Sequence, residues 1–179
     1  MIHCIKCGNI TVSKYVEGDS IKRDICVDCN YINYFNPKII VGSLPIKNDL
    51  VLLCRRDISP SKGKWTIPSG YMELGESLED GAKREAYEEA NLEYEIIKLY
   101  GTYSIPNIGQ VLFVYLGEIL NENFRAAAET SEVKLFNIDD IPWENIAFSS
   151  VEFFLKKYVS DYKNEKNYKF HSNYRTLQT

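Results

Sequence analysis

Residues 70–92, GYMELGESLEDGAKREAYEEANL, decide how the rest of the chain is read. Leu78, Ala82, Ala86 and Ala90 recur at helical spacing, and Ser77 ahead of them is a suitable N-cap. The spacing therefore predicts a helix over about 78–90. Glu85, Glu88 and Glu89 stand at i, i+3 and i+4, so this helix carries them on one face, away from the apolar stripe. Glu76 and Glu79 add carboxylates to the preceding loop and first turn. Like charges at this spacing destabilise an isolated helix by about 0.2–0.5 kcal/mol per pair. A bound cation of high charge reverses the sign of that effect. Gly70 opens the loop that feeds the helix, where backbone carbonyls can approach an ion. Oxygen ligands in this arrangement suit Mg²⁺ or Mn²⁺, and Mg²⁺ is usually shared with substrate phosphates. A charge run on a helix is more commonly a solvated face. The accompanying Gly70, Glu76 and Arg84 set this stretch apart from that alternative.

Working outward, IIVGSLPI and LVLLCRR read as strands on either side of an Asn48-Asp49 turn. Ser59 to Gly63 is a loop, and Trp65 to Pro68 is short and extended. After the helix come two strands rich in β-branched and aromatic residues, EYEIIKLYGTYSI and QVLFVYLGEIL. Residues 121–130 form a loop, VKLFNI is a further strand, and Asp139 to Pro142 ends it. Ser149 and Glu152 match a capping box for a last helix striped with Val151, Phe154, Leu155, Tyr158, Val159 and Tyr162. The tail, 164–179, is polar and expected to be partly loose, with Phe170 and Tyr174 as residues that could dock. Strands before and after one helix, with a second helix at the end, predict an α/β fold with a mixed sheet covered on both faces.

The five cysteines follow a rule. Cys4 and Cys7 form one C-x-x-C, Cys26 and Cys29 another, with eighteen residues between the pairs. Four thiolates give Zn²⁺ a closed tetrahedral shell, which makes the site structural rather than catalytic. Two disulfides are the competing reading, disfavoured in a reducing compartment. Cys54, inside the apolar run VLLC, is expected to be a small buried hydrophobe. TVSKYVEGDSIKRDI, between the knuckles, reads as a hairpin whose charges nearly cancel, so no nucleic-acid partner is expected for it. Asn36-Pro37 marks a boundary, giving three segments: 1–35 as a zinc ribbon, 36–163 as the main domain, and the tail. Across 179 residues the net charge is −4 and the apolar content 45%, which points away from phosphate-backbone binding. No apolar run has the length of a membrane span. MIHCIKCGN lacks the basic start and apolar core of a secretory signal, so the expected location is the cytoplasm.

The acidic stretch resembles the Nudix hydrolase signature: G, five residues, E, seven residues, then R-E-apolar-x-E-E-x-G-apolar. Here it runs Gly70, Glu76, Arg84-Glu85-Ala86, Glu88-Glu89, Asn91-Leu92. Asn91 replaces a glycine suited to a left-handed helix C-terminus, and asparagine is the next best residue there. The resemblance implies an α/β/α sandwich preceded by a small zinc-ribbon module. It also implies hydrolysis of nucleoside diphosphate derivatives with Mg²⁺ or Mn²⁺, and a homodimer. By the same resemblance Glu85 and Glu89 are metal ligands, with the backbone carbonyl of Ser69. Glu88 is a further ligand or a water-orienting base. Arg84 fixes a carboxylate rotamer, and Glu76 steadies the loop. One more carboxylate from outside this stretch is implied, with Glu129 preferred and Glu132 second; a solvent-exposed loop carboxylate is the alternative for either.

Substrate is read from the rest of the chain. NADH pyrophosphatases with a zinc ribbon carry S-Q-P-W-P-F-P-x-S after the box, and the corresponding GTYSIPNIGQVLFVY lacks it. Over nearly its whole length the chain is more similar to FAD and ADP-ribose pyrophosphatases of the plant plastid type and their bacterial relatives. NPKIIVGSLP, LLCRRDISPSKGKWTIPSGYMELGES, IPNIGQ, IAFSS and the KFH tail carry that likeness. The implied substrates are ADP-ribose, giving AMP and ribose 5-phosphate, or FAD, giving FMN and AMP. Alternatives are NADH or NAD-cap hydrolysis, and a non-catalytic regulator that binds a partner through the ribbon. Arg55 and Arg56 alternate on a strand, so one of them is expected to face the site and hold a phosphate. Trp65, Tyr103 and Phe113 offer aromatic surface for a base, with buried packing as the alternative.

Overall fold

The computed structural model describes residues 2–120 and 122–175. The chain divides into two compact units, Met1–Pro37 and Lys38–Thr179. In the first, β1 (Thr11–Tyr15) and β2 (Lys22–Cys26) form the expected antiparallel hairpin, with Thr11 opposite Cys26, and β3 (Ile32–Asn33) adds to β2.

The second unit begins with β4 (Lys38–Lys47) and β5 (Leu50–Arg56), followed by the short β6 (Trp65–Thr66) and β7 (Ser69–Tyr71). Then come α1 (Leu78–Ala90), β8 (Tyr94–Ile105), β9 (Gln110–Ile119), β10 (Thr130–Asn137), α2 (Ser149–Lys163) and β11 (His171–Tyr174). The sheet runs β10-β5-β4-β9-β8-β11, with β6 paired to β5 and β7 to β4. It is mixed: β4 and β9 are parallel, as are β8 and β11, while the other pairs are antiparallel.

Period-2 alternation explains why VLLC, residues 51–54, is buried throughout. Val51 and Leu53 enter the cluster built by Phe154, Leu155 and Tyr158 of α2. Leu52 and Cys54 face the other way, against Ala86 and Ala90 of α1. Each face of the sheet is thus covered by one helix, the α/β/α sandwich. Cys54 is buried, and burial pushes its thiol well up.

The first helix has the expected bounds. The Ser77 hydroxyl accepts from the Asp80 N–H at 3.1 Å, and the Asp80 carboxylate accepts from the Ser77 N–H at 3.4 Å. Asn91 ends the helix at φ 48°, and its N–H reaches the Tyr87 carbonyl at 2.8 Å. The second helix departs from expectation. Phe148 is its N-cap, Ser149 is already helical, and no side chain caps it. Glu152 bonds Lys156 at 2.6 Å instead of reaching back to the backbone.

The tail also departs from expectation. Residues 171–174 form an edge strand parallel to β8, with His171 opposite Gly101. Phe170 and Tyr174 remain exposed, so apolar docking is not what holds the strand. A buried Asp161 accepts from Tyr100 Oη at 2.9 Å and the Lys169 N–H at 3.1 Å, and pairs with His171 Nε2 at 2.8 Å. Burial raises the Asp161 carboxyl, but these partners outweigh it and leave it below its ordinary value. Gly101 permits the approach, because a Cβ there would collide with the His171 carbonyl. Residues 176–179 of the expected loose tail, and Asn121 of the expected loop, lie outside the described residues. Among the described residues no helix is long and apolar enough to cross a membrane.

Candidate functional site

A cavity of about 840 Å³ lies between the acidic face of α1 and the start of α2. Glu85, Glu88, Glu89, Glu129, Ser69, Arg84 and Arg56 all line it. Glu85 and Glu89 are buried, whereas Glu88 is exposed. Gly70 makes room for Glu85: a Cβ at this position would overlap its carboxylate.

Arg84 organises the acids. Its Nε and Nη2 grip both oxygens of Glu76 at 3.0 and 2.9 Å. Its Nη1 donates to Glu85 at 2.7 Å and Glu88 at 3.3 Å, and Nη2 also reaches the Tyr71 carbonyl at 2.9 Å. Glu76 further accepts from the Glu73 N–H at 2.6 Å, and these hydrogen bonds hold its carboxyl down to about 2. Glu76 therefore fixes the loop through Arg84.

Glu89 differs from the other acids. Its Oε2 is buried without a hydrogen-bond partner. Burial, reinforced by the charge of Glu85, pushes its carboxyl up to about 8, partly offset by a hydrogen bond from the Ser69 backbone. Glu85 is also raised by burial, against the opposing pull of Arg84. An orphaned carboxylate oxygen costs several kcal/mol when ionised and unpaired. A hard divalent cation among these oxygens is the partner that such a donor set fits.

Glu129 reaches the cavity through tertiary contacts. The Arg125 and Ala127 N–H groups bond the Ala90 and Glu89 carbonyls at 2.8 and 3.1 Å, folding the loop onto the end of α1. The Glu129 carbonyl then accepts from the Asp57 N–H at 2.8 Å. Glu132 points elsewhere and pairs with Arg55 at 3.5 Å. Of the two arginines, Arg56 lines the cavity and Arg55 does not. Arg56 donates to the Pro60 carbonyl at 2.8 Å and lies over the Phe148 ring at 5.2 Å.

Trp65 is a correction to the sequence expectation. It packs edge-on against Phe136 at 4.8 Å and is not among the cavity-lining residues. Tyr103 is buried against Phe153, and Phe113 does not line the cavity either. Sequence reasoning missed Phe148, Gln110 and Arg175, all of which line it. They come from a loop, a strand end and the residue after the edge strand, where no periodic pattern marks them.

In the first unit the four cysteine sulfurs lie within 4.8 Å of one another. Cys4–Cys29 and Cys7–Cys26 are 3.7 and 3.4 Å apart. A tetrahedral ion with bonds of about 2.3 Å requires thiolates about 3.8 Å apart, whereas a disulfide requires about 2 Å. The Lys6 and Cys29 N–H groups point at Cys4 and Cys26 sulfurs at 3.4 and 3.5 Å. Hydrogen bonding by the Cys29 backbone is the main cause that brings the Cys26 thiol down to about 7. The cluster thus fits a four-thiolate metal centre.

Comparisons with known proteins agree with this geometry. A NUDIX hydrolase of known structure from Nitrosomonas europaea is 41% identical at a TM-score of 0.94, covering 99% of this chain and 100% of its own. An ADP-ribose pyrophosphatase of Methanocaldococcus jannaschii is 28% identical over 163 residues, 89% of this chain and 90% of that protein. The NAD-capped RNA hydrolase NudC of Mannheimia succiniciproducens is 31% identical over 148 residues, 76% of this chain. The match spans only 52% of that NudC protein. The family model for the NUDIX domain matches residues 37–156. With that match laid over the arginine-clamped carboxylates of α1, the chain belongs to the Nudix hydrolases, enzymes that use a divalent metal.

Proposed function

We propose that this enzyme hydrolyses the pyrophosphate bond of a nucleoside diphosphate derivative, ADP-ribose or FAD, with Mg²⁺ or Mn²⁺ at Glu85, Glu89, Glu129 and the Ser69 carbonyl. The unpartnered, buried Oε2 of Glu89 carries the reading, because Glu89 lines a cavity shared with those groups. When bound, the ions supply charge neutralisation and Lewis-acid polarisation of the phosphoryl oxygens. Arg84 holds Glu85 and Glu88 in place, so little reorganisation is needed when substrate arrives. Glu88, exposed at the rim, orients the attacking water and takes up its proton. Water adds to one phosphorus and the bridging P–O bond breaks, giving AMP with ribose 5-phosphate, or AMP with FMN. The full-length similarity to an ADP-ribose pyrophosphatase supports the first substrate. NADH or NAD-cap hydrolysis is the second reading, favoured by the match to an NAD-capped RNA hydrolase and opposed by the absence of the post-box motif from GTYSIPNIGQVLFVY.

In the same proposal the four thiolates hold structural Zn²⁺ and the enzyme works as a cytoplasmic homodimer; sedimentation velocity checks the dimer. Purified enzyme with Mg²⁺ is offered ADP-ribose, FAD and NADH, and AMP release is followed. Preference for ADP-ribose or FAD is expected. Preference for NADH would overturn the substrate choice, and no turnover on any would overturn catalysis.

A further inference from the structure

Beyond the carboxylates to which catalysis is assigned above, the cavity has a lining of different character. Ile40, Leu112, Ile105, Ile108 and Val151 line it, as does the exposed Arg175. Arg175 follows directly on β11, where its N–H bonds the Ser104 carbonyl at 2.9 Å. Three arginines line the cavity, and two are committed within the protein. Arg84 is saturated by Glu76, Glu85 and Glu88. Arg56 is held between the Pro60 carbonyl and Phe148. Among the described residues no carboxylate pairs with Arg175. The Tyr100–Asp161–His171 network and the β8 pairing fix the strand that precedes it.

Sheet order gives the distance. α1 packs on β4, and β9 and β8 intervene before β11. Three strand spacings amount to about 14 Å, so a nucleotide whose diphosphate is held at the glutamates would direct one arm across the sheet to meet Arg175. Apolar walls closed by a guanidinium suit a flat heteroaromatic ring, which arginine meets by stacking and by donating to ring nitrogens.

We propose that Arg175 contacts the planar base of the nucleotide and sets specificity for it, so that the C-terminal strand completes the substrate pocket. This rests on the pyrophosphatase reading above. It extends that reading by placing the AMP half, rather than the sugar-phosphate half, toward β11.

The test uses the full chain with Mg²⁺, Arg175→Ala and Arg175→Lys. KM and kcat are measured on ADP-ribose, AMP affinity by calorimetry, and inhibition by ribose 5-phosphate. Arg175→Ala should raise KM and weaken AMP binding about 3- to 20-fold. It should leave kcat within about twofold and ribose 5-phosphate inhibition unchanged. Arg175→Lys should fall between wild type and alanine, since charge is kept and the planar fork is lost. Unmoved KM and AMP affinity overturn the assignment, as does a loss borne by ribose 5-phosphate. A fall in kcat accompanied by a lower melting temperature assigns Arg175 to structure instead, and also overturns it. Calorimetry needs no turnover, so a wild type inactive on ADP-ribose refutes the reaction while AMP binding still judges Arg175.

Discussion

Glu89→Gln separates the metal reading from a structural role for the acidic face. In the metal-free fold the Glu89 carboxyl ionises near 8, against an ordinary 4.5, chiefly because it is buried and stands beside Glu85. Each pH unit between those values is worth about 1.4 kcal/mol, a ceiling of roughly 5 kcal/mol for ionising it. Relaxation and water entry bring the effective cost to about 2–3 kcal/mol. The sign follows from linkage. A carboxyl raised in the folded state favours folding below its unfolded pKa, and that advantage is lost as pH rises through the folded value. Metal-free wild type should therefore lose stability between about pH 5 and 9 relative to Glu89→Gln, which has nothing to ionise. The gap at pH 9 should reach about 2–3 kcal/mol, or roughly 5–10 °C in melting temperature.

Calorimetric melts across that range, on protein exchanged into metal-free buffer with its zinc content checked, measure the gap directly. Adding Mg²⁺ at pH 8 should stabilise wild type by mass action and the variant far less. Activity of the variant should fall about 10²–10⁴-fold. Parallel pH profiles, or a variant less stable than wild type at pH 9, would refute the claim that an unmatched buried carboxylate waits here for a cation.

Gly70→Ala should displace the Glu85 carboxylate and cost about 1–3 kcal/mol, with activity down by an order of magnitude or more; full activity with unchanged melting contradicts the packing argument. Glu129→Ala should lower kcat/KM about 10²-fold and Glu132→Ala less than about twofold, because only the first lines the cavity; steady-state assays reversing that order would exchange their roles. Cys4→Ser should remove the metal from the first unit and with it the amide protection of β1 and β2, since such a site supplies about 10–16 kcal/mol of apparent folding free energy; metal analysis and hydrogen exchange read both, and retained protection would argue against a structural ion.

Local signals carried much of this protein. The capping box at Ser77 and the apolar stripe of α1 place a helix without tertiary information, because both act within a few residues. The paired C-x-x-C spacing announces a four-thiolate centre for the same reason. The apolar run of β5 says only that a strand is buried on both faces.

Three-dimensional folding decided the rest. Glu129 and Glu132 are three apart on similar sequence, and nothing local ranks them; the loop amides that satisfy the end of α1 bring one to the cavity and leave the other with Arg55. Ser149 and Glu152 match a capping box, yet the chain enters α2 one residue earlier, with Phe148 beneath Arg56. β11 has no alternation to betray it. It exists because Asp161, Tyr100 and His171, up to 71 positions apart, meet in one hydrogen-bonded cluster beside a glycine. Short-range preferences are written in neighbouring residues, whereas which side chains share a cavity depends on contacts between segments far apart along the chain.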